Sequence, residues 1–184
     1  MANEVLVKMG TAVCWADTTD YSATLSGIAR THQIDLTDLA NAAAREGAKA
    51  DLGATRAACF AVHVGVEVAV VPTAGLTVEF YWAASYSGTA ATGNPAKLTG
   101  ADAAWTGATH GTVAQSKFQL TFMGVLVLTP DDDTDNIQVA CINGCFSPPT
   151  RYGFPVVVNL AGQALHSDAV EAYIALIPIT DEVQ

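Results

Sequence analysis

The sequence predicts an all-β protein: an antiparallel β-sandwich, jelly-roll-like, with a less regular N-terminal arm. Three observations carry that reading. The segment Ala58–Val71, ACFAVHVGVEVAVV, places Phe60, Val62, Val64, Val66, Val68 and Val70 on one parity and Ala61, His63, Gly65, Glu67 and Ala69 on the other. Side chains on a strand alternate between faces, so this is a long strand with one apolar and one mixed face. Further strand-like runs follow it, separated by Pro, Gly and Asp clusters that punctuate a chain into hairpins and crossovers. Apolar spacing at the helical period of 3.6 is nearly absent.

The elements follow in order. Val5–Lys8 and Thr11–Trp15 are the first strands, and the polar turn ADTTDYS comes next. Ala23–Ala29 reads as a strand carrying Leu25 and Ile28. In Asp35–Asp51 the spacing of Leu36, Leu39 and Ala43 allows a short helix capped by Asp35 or Thr37, with an irregular loop as the alternative. Leu76–Ala84 alternates Leu76, Val78, Phe80 and Trp82 against Thr77, Glu79, Tyr81 and Ala83. It is expected to pair with the long strand across the turn VPTAG. A long loop of small residues runs from Ser85 to about Thr112. Loops of this length are usually functional or packed on a partner, and Trp105 is expected to pin it to the body. Phe118–Leu128 is apolar throughout, as a fully covered strand would be. The acidic turn PDDDTDN, then Ile137–Phe146, Phe154–Leu160 and Ala169–Ile179, complete the set. The chain 1–184 reads as one sandwich domain, with 1–55 as a candidate arm and 56–184 as the main sandwich.

Composition narrows the function. There are 18 acidic side chains against 8 Lys and Arg, for a net charge of -10. Such a chain is repelled by nucleic acid and by anionic membranes. Charged residues are 14% of the total, well below the usual quarter. A surface so poor in charge favours burial in an oligomer. No basic stretch followed by an apolar run opens the sequence, so synthesis in a cytoplasm is expected. The cysteines, at 14, 59, 141 and 145, are read as reduced thiols. Cys141 and Cys145 lie four strand residues apart, about 13 Å, too far to bridge.

Chemistry-bearing patterns are sparse. Asp131, Asp133 and Asp135 resemble the start of a calcium loop, but Asn136 stands where the loop needs Gly and Ile142 where it needs a bidentate Glu. A looser calcium site in that strand turn, or a plain solvated turn, are the remaining readings. His32, His63, His110 and His166 show no metal spacing, and His63 reads as a satisfied or interface histidine. His166, Ser167 and Asp168 hold the letters of a triad, yet neighbours in sequence cannot form one and no nucleophile elbow is present. No phosphate loop occurs. Tyr81, Trp82, Tyr86 and Trp105 would suit a sugar-stacking platform, with core and interface packing as the simpler use. The reading is therefore a non-enzymatic protein without catalytic, cofactor-binding or metal residues.

The segments AREGAKADLGATRA, VPTAGLTVEFYWAAS, GTAATGNP with GADAAWTG, and FSPPTRYGFPVVVNLAGQALHSD resemble small virion structural proteins of tailed bacteriophages and prophages. The resemblance extends from about Thr31 to Ile179. It implies a particle component with a β-sandwich body, assembled in a host cytoplasm and without enzymatic activity. The acidic, oily composition fits a capsid decoration or cement protein on the particle exterior, a homo-oligomer with a trimer favoured, bound to the major capsid protein or other virion proteins. The alternative is a tail-fibre or tail-tip domain that binds a host surface glycan. Thr89, Asn94, Pro95, Leu98 and Trp105 of the long loop are the candidate interface residues. Deletion of Thr89–Leu98 is expected to leave the sandwich folded.

Overall fold

The computed structural model describes residues 5–24, 26–130, 136–168 and 170–183, and of residues 5, 6 and 183 the backbone alone. Its strands are β1 (Val5–Met9), β2 (Val13–Ala16), β3 (His32–Gln33), β4 (Ala44–Glu46), β5 (Ala50–Asp51), β6 (Cys59–Glu67), β7 (Thr77–Ser85), β8 (Ala103–Trp105), β9 (Thr121–Val127), β10 (Ile137–Phe146), β11 (Tyr152–Leu160) and β12 (Tyr173–Val183). One short helix, α1 (Val113–Ser116), precedes β9.

They form two sheets. The first runs β10-β6-β12-β2-β3, with β1 also on β12; the second runs β8-β4-β11-β7-β9, with β5 also on β11. Every pairing is antiparallel except that of β2 with β3. The eight principal strands are β2, β4, β6, β7, β9, β10, β11 and β12. They lie in the orders β10-β6-β12-β2 and β9-β7-β11-β4. The chain thus crosses between the sheets after β2, β4, β6, β9, β10 and β11, which is the double Greek-key order of a jelly roll. The all-β sandwich expected from the sequence is the fold. The first 55 residues supply β1 to β5, including one principal strand of each sheet.

The core sits between the sheets. Val62, Val64, Val66 and Val68 are all fully buried there, as their shared parity requires. Trp15 and Trp82 meet edge to face with centroids 5.7 Å apart, and Phe146 packs on Trp82. At the β9–β10 side the sheets close on each other. Asn143 Nδ2 donates to Met123 O at 2.9 Å, and a Cβ on Gly124 would meet Ile142 O at 2.9 Å.

Several expectations are corrected. β6 and β7 are not neighbours but face each other from opposite sheets, because the connection around Pro72 and Gly75 crosses the core. Ala23–Ala29 is a loop folded around Tyr21, whose hydroxyl donates to Ile28 O at 2.8 Å; Leu25 lies outside the described residues. Asp35–Asp51 is not helical. Asp38 and Ala42 take positive φ, and β4 and β5 are two halves of one strand along β11. Their break faces Pro155, which has no N–H to donate, and Gly47 N donates to Pro155 O instead. Only glycine fits there, since a Cβ would stand 2.9 Å from the Trp15 ring. Cys59 and Cys145 form a disulfide across β6 and β10, with Cα atoms 5.1 Å apart, so the reading of four reduced thiols fails. Bulges in β10 after Cys141 and Asn143 shift the register that spacing alone would give. Cys14 is a buried free thiol and Cys141 an exposed one. Asp131–Asp135, the candidate calcium turn, lies outside the described residues.

Candidate functional site

The long loop after β7 does not stand away from the body. It folds back over the outer face of the second sheet. Leu98, Trp105 and Leu120 bury themselves there against Phe154, Val156 and Val158 of β11 and Tyr81 and Ala83 of β7. Trp105 pins the loop as expected: it is 4% exposed and its indole N–H donates to Ala96 O at 3.0 Å.

Three charges from one short segment hold the loop, and the Gly47 bulge opposite Pro155 sets two of them at its edges. Lys49 Nζ donates to Ser85 Oγ at 2.8 Å and to the carbonyls of Ser87, Thr89 and Thr92 at 3.0, 2.7 and 2.8 Å. An ammonium thus gathers the backbone carbonyls of a tight turn onto one donor group. Glu46 does the converse. Its carboxylate, 1% exposed, accepts from Thr99 N and Gly100 N at 2.9 Å and from Thr99 Oγ1 at 2.9 Å. Burial pushes its carboxyl pKa up, and the N–H donors oppose that shift. Arg45 clamps Asp102 in two parallel bonds of 2.6 and 2.8 Å, the planar fork geometry that suits a carboxylate. Gly100 must be glycine, since its φ is +69° and a Cβ would lie 2.4 Å from Ala90 O.

The five candidate interface residues therefore part company. Leu98 and Trp105 face the sheet and are spent inside the chain. Thr89 is exposed and Pro95 half-buried, whereas the Asn94 amide turns into the loop, where Nδ2 donates to Ala90 O and Leu98 O. Deletion of Thr89–Leu98 would uncover β11 and strip Lys49 of two carbonyl partners, so it should lower the stability of the sandwich.

Beyond the loop, the same outer face is bare. On β9, Phe122, Val125 and Val127 point outward at 54%, 36% and 53% exposure, and Phe118 beside them is 78% exposed. This corrects the reading of Phe118–Leu128 as a covered strand. Residues 117–119 form a 3-10 turn, and β9 alternates normally until a bulge opposite Phe80 and Tyr81 resets its parity. The boundary between covered and bare halves is polar. Glu79 accepts from Tyr81 Oη at 2.9 Å and from Lys117 Nζ at 2.5 Å. Burial, together with the Glu79 charge, pushes the Tyr81 hydroxyl pKa up.

The histidines are scattered. His63 sits half-buried on the outer face of β6 opposite Cys141, and His166 Nδ1 lies 3.1 Å from Glu67 Oε1. Asp168 N donates to the same His166 nitrogen, a local loop contact rather than a triad. Among the described residues no three His, Cys, Asp or Glu side chains converge as metal ligands. Among the described residues no helix is long and apolar enough to cross a membrane. No protein-family model matches the chain, and no curated protein or solved structure matches it.

Sequence reasoning missed the bare stripe because an uninterrupted apolar run is ambiguous between a covered strand and an exposed apolar face. It also passed over Arg45, Glu46 and Lys49. The available signal was three charges within five residues of a charge-poor chain, beside a proline-interrupted strand.

Proposed function

We propose that this protein is a non-enzymatic structural component of a phage virion, a decoration or cement protein on the capsid exterior. The observation that carries the reading is the uncovered apolar stripe of Phe118, Phe122, Val125 and Val127 on the outer face of the second sheet. Contiguous exposed apolar surface of this kind marks an interaction site. The jelly-roll order lends support by analogy, since viral capsid proteins use it repeatedly. The net charge of -10 suits a station away from packaged DNA.

In this role the protein acts by area. The stripe and the outer side of the Thr89–Pro95 loop bury against neighbouring copies and the major capsid protein, at about 25 cal/mol per Å² of apolar surface. A trimer is the favoured assembly, because it lets a decoration protein occupy a three-fold junction of the lattice. The test is the position and copy number of the chain in images of the particle that encodes it. High, fixed copy number on the shell supports the reading. A few copies at the tail tip would replace it with the glycan-binding tail alternative.

A further inference from the structure

β10 is an edge strand of the first sheet, and its pairing with β6 is regular only from Ile137 to Cys141. Two bulges follow. Ile142 is the extra residue between Cys141, paired with His63, and Asn143, paired with Val62. Gly144 and Cys145 then span the single step at Ala61 before Phe146 meets Phe60. β9, the facing edge of the second sheet, has a bulge of its own. Phe122 pairs with Tyr81 and Gly124 with Phe80, so Met123 is the extra residue there. That extra residue is what turns Phe122 outward with Val125 and Val127.

The bulges of the two sheets interlock. The first bulge of β10 puts Asn143 on the side of Val62, facing the other sheet, where its Nδ2 donates to Met123 O at 2.9 Å. Its Oδ1 accepts from Cys145 N at 3.0 Å. One end of the amide thus needs a donor and the other an acceptor, so its orientation is fixed. Ile142 O seats on Gly124, where a Cβ would stand 2.9 Å away. A single side chain therefore joins the extra residue of β9 to Cys145, and the disulfide ties Cys145 to Cys59 of β6. Cys145 is exposed and Cys59 half-buried, so the bond is open to a small reductant.

We propose that the Cys59–Cys145 disulfide is a redox latch on the β9 stripe. Oxidised, it holds the irregular end of β10 on β6, and through Asn143 it holds the β9 bulge that presents Phe122. Reduced, that end opens locally, as the irregular end of an edge strand does at least cost. Asn143 then releases Met123, and the stripe loses the fixed shape that a neighbouring subunit packs against. The reductant is a dithiol. Its thiolate attacks Cys145 Sγ and the Cys59 thiolate leaves. Its second thiol then displaces Cys145 and closes a cyclic disulfide, so the protein gains two electrons and two protons. Compartments that keep thiols reduced hold the chain dispersed, and oxidation commits it to assembly. The inference rests on the stripe as the assembly surface and adds its regulation.

Two measurements on the full chain, with and without dithiothreitol, test the latch and its consequence separately. Amide hydrogen exchange is read in a Phe122→Asp background, so that assembly through the stripe does not itself protect β9. Reduction should speed exchange in β9 by about tenfold or more and leave β11 unchanged. Cys59→Ser/Cys145→Ser without reductant, and Asn143→Ala with the disulfide intact, should each show the same pattern. The latch is overturned if β9 stays protected on reduction, if β9 and β11 accelerate together as in general unfolding, or if Asn143→Ala leaves β9 protected. Sedimentation of the chain with Phe122 in place reads the consequence. The oxidised oligomer should associate about tenfold or more weakly once reduced, and equal association in the two states overturns the proposal. A chain that is monomeric even when oxidised overturns the stripe reading instead, and the exchange rates then decide the latch alone.

Discussion

The outer face of the second sheet is divided between two treatments of the same problem. Over β4, β11 and the start of β7, the chain covers its own apolar side chains with the loop that carries Leu98 and Trp105. Over β9, Phe122, Val125 and Val127 are left in solvent. The covered half is expensive to build, for it orders a long loop and buries the Glu46 carboxylate. On the proposed reading, the second half is left apolar for a neighbouring subunit.

The largest effect should come from breaking the covered half. Trp105→Ala removes the loop's main anchor and should cost about 3–5 kcal/mol, the usual range for a buried tryptophan. Denaturant unfolding measures it, and a loss below about 1 kcal/mol would mean that the loop packs loosely. Next is Glu46→Ala, which leaves the N–H groups of Thr99 and Gly100 without their acceptor. About 2–3 kcal/mol should be lost. Faster amide exchange at Thr99 and Gly100, with the β6 amides unchanged, would show that the damage is confined to the loop.

Much of this architecture was legible in the sequence. The parity of Val62 to Val68 specified the core face of β6, and Trp105 stood out as a pin because a lone tryptophan in a small-residue loop needs somewhere to go. Pairing partners were less accessible. β6 and β7 look like a hairpin in sequence, and only the jelly-roll crossover shows that the turn between them spans the core. The bulges of β9 and β10 were invisible for the same reason that parity arguments work: a single extra residue inverts them. That inversion exposed Phe122 and brought Cys145 beside Cys59. The cover itself was seen as a loop seeking a partner. Its partner turned out to be the chain's own sheet, through charges whose burial no local pattern announces.

A small, pH-linked effect should come from a surface pair far from the stripe. Arg151 bonds Asp51 through both carboxylate oxygens and holds its pKa down, from 3.8 to about 2. A depressed carboxylate contributes stability that is present above its unfolded pKa and lost as pH falls through the folded one. The contribution should therefore be intact at neutral pH and fade between about pH 4 and pH 2. It should be absent from Arg151→Gln, whose unfolding midpoint should follow a flatter curve over that window. The pair lies at the surface with both side chains about half-exposed, so the difference should be slight.

The bare half is tested most directly by sedimentation of Phe122→Asp beside the unmodified protein over a range of concentrations. Phe122 is about half-exposed and meets Tyr81 edge to face, so the substitution should cost the folded monomer only about 1 kcal/mol. The unmodified chain should sediment as an oligomer whose unfolding midpoint rises with concentration, and Phe122→Asp should sediment as a folded monomer with a concentration-independent midpoint. An oligomer that survives the aspartate would contradict the claim that the β9 stripe is the assembly surface.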